Sequence, residues 1–423
     1  MNRTRIRAAA AAALALGLTL PLAGQATASP DDVPGTAGAS TLTDTPEPER
    51  PAFYEPPAQI PSTPGTLIRT EPAPFLLDPL GLSSSVVTAT RVMYSSTDAD
   101  GVPIAVTGTV FVPRTDYVGA SDRPLISYTA GTQGIADRCA PSRQMEELVE
   151  YEGLGIARTV GRGYAVAMTD YQGMSTPGTH TYMARAAQGH ASLDMARAAQ
   201  SLQGDDVDAD NPVGLMGYSQ GGGAAAAAAE LASSYAPELD IKGSAIGAPP
   251  ADLATVGANI DSGAYNAFAL FALLGVAQAE HIDPAPYLNE AGEEVAAAVE
   301  GDCVYDLFDH AFKDTGQYTG SGESLTDLLA GETFAAAVTE QRIGTLRPNA
   351  PVVINHAWGD EVIPVEVGRQ LGSDWCDRGT RVTFNPGVTP THVGGMVPHV
   401  EKSMYFFEKR FAGWNTANSC WRL

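Results

Sequence analysis

The stretch Val213-Gly-Leu-Met-Gly-Tyr-Ser-Gln-Gly-Gly-Gly223 constrains this chain most. An apolar run enters Gly217-Tyr218-Ser219-Gln220-Gly221, and an alanine-rich run continues to Ala229. That order predicts a buried strand, a sharp turn and a helix. A serine on such a turn has its hydroxyl raised above the sheet. The glycines leave out Cβ atoms where strand, turn and helix crowd together. A helix beginning at the serine points its free N–H groups and positive dipole end at any anion formed there. The pentapeptide also arises by chance, because 44 of the 423 residues are glycine. The plainer reading is a βα turn whose serine only caps the helix. The two readings part on whether an acid and a histidine follow at the ends of later strands.

The rest of the chain supplies the strands. Val86–Tyr94 and Ile104–Val112 read as an antiparallel hairpin around the turn Asp98-Ala-Asp-Gly101. Pro124–Thr129 is a short apolar strand entering the glycine turn Ala130-Gly-Thr-Gln-Gly134. Glu146–Val160 carries helical spacing, Tyr164–Thr169 reads as a strand and His190–Leu202 as a helix. Val213–Gly217 with Gln220–Tyr235, then Ile241–Ala248, continue the alternation. Strands alternating with helices predict a mostly parallel sheet covered on both faces. From Ala251 to Asn349 the alternation lapses into Ala-, Leu- and acid-rich helical sequence. This predicts a helical cap inserted over the sheet's C-terminal edge, with the apolar Tyr265–Val276 as a buried helix or the wall of a substrate tunnel. The sheet resumes with Pro351–Ala357, a helix Val365–Leu371, a strand Arg381–Phe384 and a terminal helix Val400–Phe411.

The start of the chain reads as an export signal. Arg3, Arg5 and Arg7 precede an apolar run from Ala8, and Ala26-Thr27-Ala28 precedes Ser29. Residues 1–28 are thus expected to be a Sec-type signal peptide cleaved after Ala28. Residues 29–50 are proline-rich without periodicity and read as linker, and 51–79 as an extended arm packed on the core. The expected organisation is a core of 51–250 and 350–423 interrupted by the cap at 251–349. The mature chain holds no segment apolar enough to span a bilayer. With 49 acidic against 25 basic residues the net charge is −24, which argues against nucleic acid or anionic membrane as an electrostatic partner. Cys139, Cys303, Cys376 and Cys420 form no C-x-x-C pair, and no histidine lies at metal-ligand spacing, so no metal is expected. An even count in an exported chain suggests two disulfides. Of three pairings, Cys139–Cys303 with Cys376–Cys420 is favoured, the latter closing a short C-terminal loop.

A serine hydroxyl is a poor nucleophile unless a base lies within hydrogen-bond reach and an acid orients that base. On a parallel sheet such groups gather at the C-terminal strand ends. Ser219 follows one strand, Asp360 lies after Val352–Ala357, and His392 lies in the loop after Arg381–Phe384. Their order, Ser, Asp, His, is that of the α/β-hydrolase fold. His399 is the main rival base, His356 suits a supporting role inside its strand, and Glu361 is the neighbouring acid. The oxyanion donors are expected to be the backbone N–H groups of Gln220 and of Thr132 in the glycine turn.

Several further motifs carry a family resemblance. They are Pro51-Ala-Phe-Tyr54 with Gly65-Thr-Leu-Ile-Arg69, Cys139-Ala-Pro-Ser142, Arg162-Gly-Tyr-Ala-Val166 with Thr169-Asp-Tyr-Gln-Gly173, Gly217–Gly222, and Gly359-Asp-Glu-Val-Ile-Pro364. Together the chain resembles the secretory lipase family, which includes yeast lipase A of the Candida antarctica type and actinobacterial relatives. The resemblance implies an α/β-hydrolase core with a helical cap, and hydrolysis of triacylglycerols or simpler esters through Ser219, Asp360 and His392. It also fits a Cys139–Cys303 link to the cap. Gln220 stands where the yeast enzyme has glycine. The expected protein is a secreted serine ester hydrolase with a lipid or ester substrate, transient contact with a lipid interface and no cofactor. The alternatives are an acyltransferase using the same triad, and a non-catalytic envelope-binding protein on this scaffold.

Overall fold

The computed structural model describes residues 50–75, 85–119, 121–147, 149–202 and 206–423. The expected signal peptide and nearly all of the linker lie outside the described residues. Nine strands form one sheet in the order β1-β2-β3-β5-β4-β6-β7-β8-β9. In chain order they are Leu67–Pro72, Val87–Thr97, Pro103–Pro113, Leu125–Thr129, Ala165–Thr169, Val213–Tyr218, Ile241–Gly247, Val352–Ala357 and Val382–Gly387. β1 to β3 pair antiparallel and β3 joins β5 antiparallel, while β5, β4, β6, β7, β8 and β9 run parallel.

The central strands β4, β5, β6 and β8 are buried along their whole length because both faces are covered. Alternate residues serve opposite faces. Leu125, Ala165, Leu215, Ile246 and Val352 belong to one core cluster. Their neighbours Ile126, Val166, Met216, Ala245 and Val353 belong to the other. The helices before β8 are α1 (Pro141–Glu146), α2 (Gly153–Val160), α3 (Arg185–Gln200) and α4 (Gln220–Tyr235), then α5 (Leu253–Ile260), α6 (Ala267–Ala279), α7 (Glu290–Glu300), α8 (Leu325–Ala330) and α9 (Glu332–Glu340). After it come α10 (Val365–Asp377) and α11 (Met396–Phe411). The first cluster includes buried residues of α3, α4 and α10. The second includes residues of α2 and α11, among them Phe406, Phe407 and Phe411. Burying each such ring stabilises the fold by roughly 1.5–3 kcal/mol.

α5 to α9 all lie between β7 and β8, yet those two strands pair directly, Ser244 opposite Val352 and Ile246 opposite Ile354. The intervening helices build a further apolar cluster around Leu270, Phe271, Leu273 and Phe334, which Ile135 and Tyr182 join from outside the insertion. Cys139–Cys303 links the segment before α1 to this helical segment, and Cys376–Cys420 links α10 to the C-terminal tail.

Two local readings need correction. The arm is not merely extended: Leu67–Pro72 adds an edge strand to the sheet, half exposed and therefore without the alternation that marks a strand. Glu146–Val160 is not one helix. Residues 149–152 run outside α1 and α2, and the Glu150 and Glu152 side chains turn inward to hydrogen-bond the turn after β4. Buried acceptors serving another segment outweigh local helical spacing here.

Candidate active site

β6 ends at Tyr218, α4 begins at Gln220, and Ser219 sits between them at φ 59°, ψ −122°. A non-glycine residue there is strained, so its surroundings must hold it. The Ser219 N–H donates to the Gly247 carbonyl at 3.0 Å, and the Ser219 carbonyl accepts from the Gly223 N–H at 2.9 Å. Glycines permit the crowding: a Cβ on Gly217 or Gly221 would run into Thr129, and one on Gly222 into the Gly247 carbonyl. The serine side chain makes no helix-capping hydrogen bond, which removes the plainer reading of the motif. Its Oγ lies 2.9 Å from His392 Nε2.

His392 follows β9 and Asp360 follows β8. His392 Nδ1 lies 2.9 and 2.8 Å from the Asp360 oxygens. Facing a carboxylate, Nδ1 carries the proton, which leaves Nε2 to accept from the serine hydroxyl. Asp360 also accepts from the N–H groups of Val362 at 3.1 Å and Ile363 at 2.8 Å. Burial pushes this carboxyl up, but hydrogen bonds from His356 and His392, the positive charge His392 carries once protonated and the Ile363 N–H outweigh it. They hold Asp360 well below the usual carboxylate range. An acid so held stays ionised beside an imidazolium, so the arrangement can take a proton from Ser219 and stabilise the resulting charge pair.

The rival residues have other work. His399 is buried, its Nδ1 accepts from the Asn355 amide at 3.1 Å, and burial pushes it down to about 3. His356 donates from Nε2 to the Ile363 carbonyl at 2.9 Å, fixing the turn that carries Asp360. Glu361 accepts the His392 backbone N–H at 2.7 Å and the Tyr265 hydroxyl at 2.9 Å. It therefore joins the His392 loop to the helical segment instead of serving the ring.

Gln220 directly follows Ser219, and Thr132 lines a cavity with that serine. The Gln220 N–H opens the first turn of α4, where no intrahelical acceptor exists. Its side-chain amide donates to His180 Nε2 at 3.0 Å, while His180 Nδ1 donates to the Gln172 carbonyl at 2.9 Å. Burial pushes His180 down to about 4, so it stays a neutral acceptor. Thr132 follows β4 and lines one cavity together with Ser219 and His392. No acceptor among the described residues takes the Thr132 N–H.

Two cavities meet at Ser219. One runs beneath the helical segment between Leu253, Ile260, Ala272, Val276 and Leu329. The other lies between Tyr151, Glu152, Tyr305, Leu307 and Met396. Phe268 of α6 lines both, so the apolar helix is at once packed core and cavity wall. Among the described residues no group of His, Cys, Asp and Glu is arranged to hold a metal ion. Reading the sequence missed Tyr151, Glu152 and the structural work of His180 and Glu361. The close pair of acids at Glu150 and Glu152 was the one visible signal.

Known proteins agree with this architecture. The structure resembles Candida antarctica lipase A in its closed state with a TM-score of 0.76 over 88% of both chains, at 22% identity. It resembles a rice cell wall degrading esterase, LipA from Xanthomonas oryzae, with a TM-score of 0.64, covering 83% of this chain and 97% of that one at 19% identity. In sequence, a probable inactive lipase of Mycobacterium tuberculosis is 29% identical, over 85% of this chain and 82% of its own length. A secreted triacylglycerol lipase of Malassezia furfur is 26% identical, over 72% of this chain and 82% of its own. The secretory lipase family matches residues 140–419. An α/β-hydrolase sheet, a serine on its strand-to-helix turn and this match over most of the chain agree, and the protein belongs to the secretory lipase family of carboxylic ester hydrolases.

Proposed function

We propose that the protein is an exported triacylglycerol lipase or esterase in which Ser219 is the nucleophile, His392 the base and Asp360 the acid. His392 takes the Ser219 proton as Oγ attacks the ester carbonyl. The oxyanion is held by the N–H groups of Gln220 and Thr132, and His392 passes its proton to the departing alcohol. Water activated by His392 then releases the acid from the acyl-enzyme. Residues 251–349 act as the cap, and the apolar cavity beneath α5, α6 and α8 suits an acyl chain. The name of the Malassezia relative supports export, and so does the expected signal at 1–28.

The observation that carries this reading is the unbroken hydrogen-bond chain from Ser219 through His392 to Asp360. Ser219→Ala is expected to abolish turnover of a p-nitrophenyl ester and covalent labelling by a phosphonate probe. Near-normal rates in the purified variant would overturn it. The name of the Mycobacterium relative favours a second reading, a scaffold without turnover. It requires the wild type to leave both probes untouched. An acyltransferase is told apart by its products: with added alcohol it yields ester where a hydrolase yields free acid.

A further inference from the structure

We propose that Tyr151 and Glu152 form a clamp that positions the oxyanion turn, an inference that rests on the ester-hydrolase reading above. The peptide unit carrying the Thr132 N–H joins Gly131 to Thr132. On one side of it, Glu152 Oε1 accepts the Gly131 N–H at 2.8 Å. On the other, the Tyr151 hydroxyl donates to the Thr132 carbonyl at 3.0 Å. Consecutive residues of one segment thus bracket that peptide unit from both flanks. With its neighbours held, the unit has little freedom to rotate, and a donor aimed in advance spends no energy on reorganisation when charge develops.

The clamp is itself anchored. Glu152 Oε2 accepts the Tyr128 hydroxyl of β4 at 2.7 Å, and Glu150 Oε1 accepts the Glu152 N–H at 3.0 Å. Glu152 is buried, and it lines the cavity that holds Ser219 and His392. Gly131 is shaped to this contact: a Cβ there would lie 2.6 Å from the Tyr151 hydroxyl and 3.2 Å from Glu152 Oε1. Both clamp residues lie at the break between α1 and α2, Tyr151 outside either helix and Glu152 just before α2. Both are positioning residues that act through Thr132.

The test uses the full-length protein, a soluble short-chain p-nitrophenyl ester and a phosphonate that labels Ser219. Tyr151→Phe and Glu152→Ala should each lower kcat by about 10- to 100-fold, somewhat less than deletion of an oxyanion donor, with KM nearly unchanged. The phosphonylation rate should fall in parallel, because as Oγ attacks phosphorus and the leaving group departs, the phosphoryl oxygen needs the same donors. Glu152→Gln keeps an acceptor for the Gly131 N–H and should restore most of kcat. If Glu152→Ala fails to fold, Tyr151→Phe and Glu152→Gln still decide the matter. A labelled, active wild type whose Tyr151→Phe variant matches it within about twofold overturns the clamp alone. A Glu152→Gln variant as slow as Glu152→Ala, or a rise in KM at constant kcat, overturns it as well. A wild type that is not labelled at Ser219 overturns the hydrolase reading and the clamp with it.

Discussion

Helices that start at the sheet begin differently from those that start between β7 and β8. In the second group the side chains of Asp252, Asn289 and Ser324 accept N–H groups at the starts of α5, α7 and α8, although α6 and α9 lack such a cap. In the first group α3, α4, α10 and α11 begin at Ala184, Ser219, Pro364 and Gly395, and none has a side-chain cap. The difference follows burial. α4 is buried from Gln220 to Glu230, whereas α7 buries only Gly292 and Val299. A short helix with little packing gains most from a cap, α9 with only Phe334 and Ala337 buried being the exception, and a deeply packed one can do without it. Packing therefore releases the residue before α4 from a structural duty. Ser219 holds a capping position and spends its hydroxyl on His392.

Substitutions can break this contrast, and the largest effect is expected on the sheet side. Asp360→Asn should lower kcat by about 10⁴-fold, as in serine hydrolases of this arrangement. An effect under about tenfold would mean that His392 is oriented by something else. Next is the bond that joins the two regions. Replacing Cys139 and Cys303 together by serine should cost about 5 kcal/mol in chain-entropy terms, measured by urea denaturation, and should also lower kcat. The Cys376–Cys420 bond closes a shorter loop, so replacing that pair should cost slightly less while sparing kcat. Equal losses of activity would show that the helical segment is no more tied to the site than the tail is.

A smaller effect concerns Glu150, which burial pushes up from 4.5 to about 8. A raised carboxyl contributes stability in full below pH 4.5 and loses it as pH rises through about 8. Glu150→Gln keeps the acceptor and cannot ionise. Its denaturation midpoint should match the wild type at pH 4.5 and exceed it at about pH 9; equal midpoints at both would place the charge elsewhere. The smallest effect is a cap. Asn289→Ala should cost about 1 kcal/mol with kcat unchanged, whereas Ser219→Ala, with no cap to lose, should cost less stability than that.

The constellation was legible because each member follows its own strand. Alternating strands and helices located three strand ends, and the residue types there left little choice among Ser219, Asp360 and His392. His399 could not be dismissed from sequence, because its burial depends on how α11, the helix that carries it, lies across β7 and β8. The parallel sheet was legible for the same reason as the strand ends, but β1 was not, since an edge strand half in water shows no period. Thr132 was placed by analogy of position. The groups that hold it come from a break in a helix-like pattern, and nothing local distinguishes an acid that turns inward from one that faces solvent.

The Cys139–Cys303 bond closes a covalent ring around β5, α3, β6, Ser219, α4 and β7. A protease that nicks the chain once inside that ring leaves a single covalent molecule. A cut between Cys303 and Cys376, for example at the exposed Gly320-Ser321-Gly322, is of another kind. It separates the piece with Ser219 from the piece with Asp360 and His392, joined thereafter only by sheet pairing and packing. Non-reducing and reducing gels of nicked protein would thus report which side of Cys303 was cut, and residual activity would report how well two noncovalent halves still share one site.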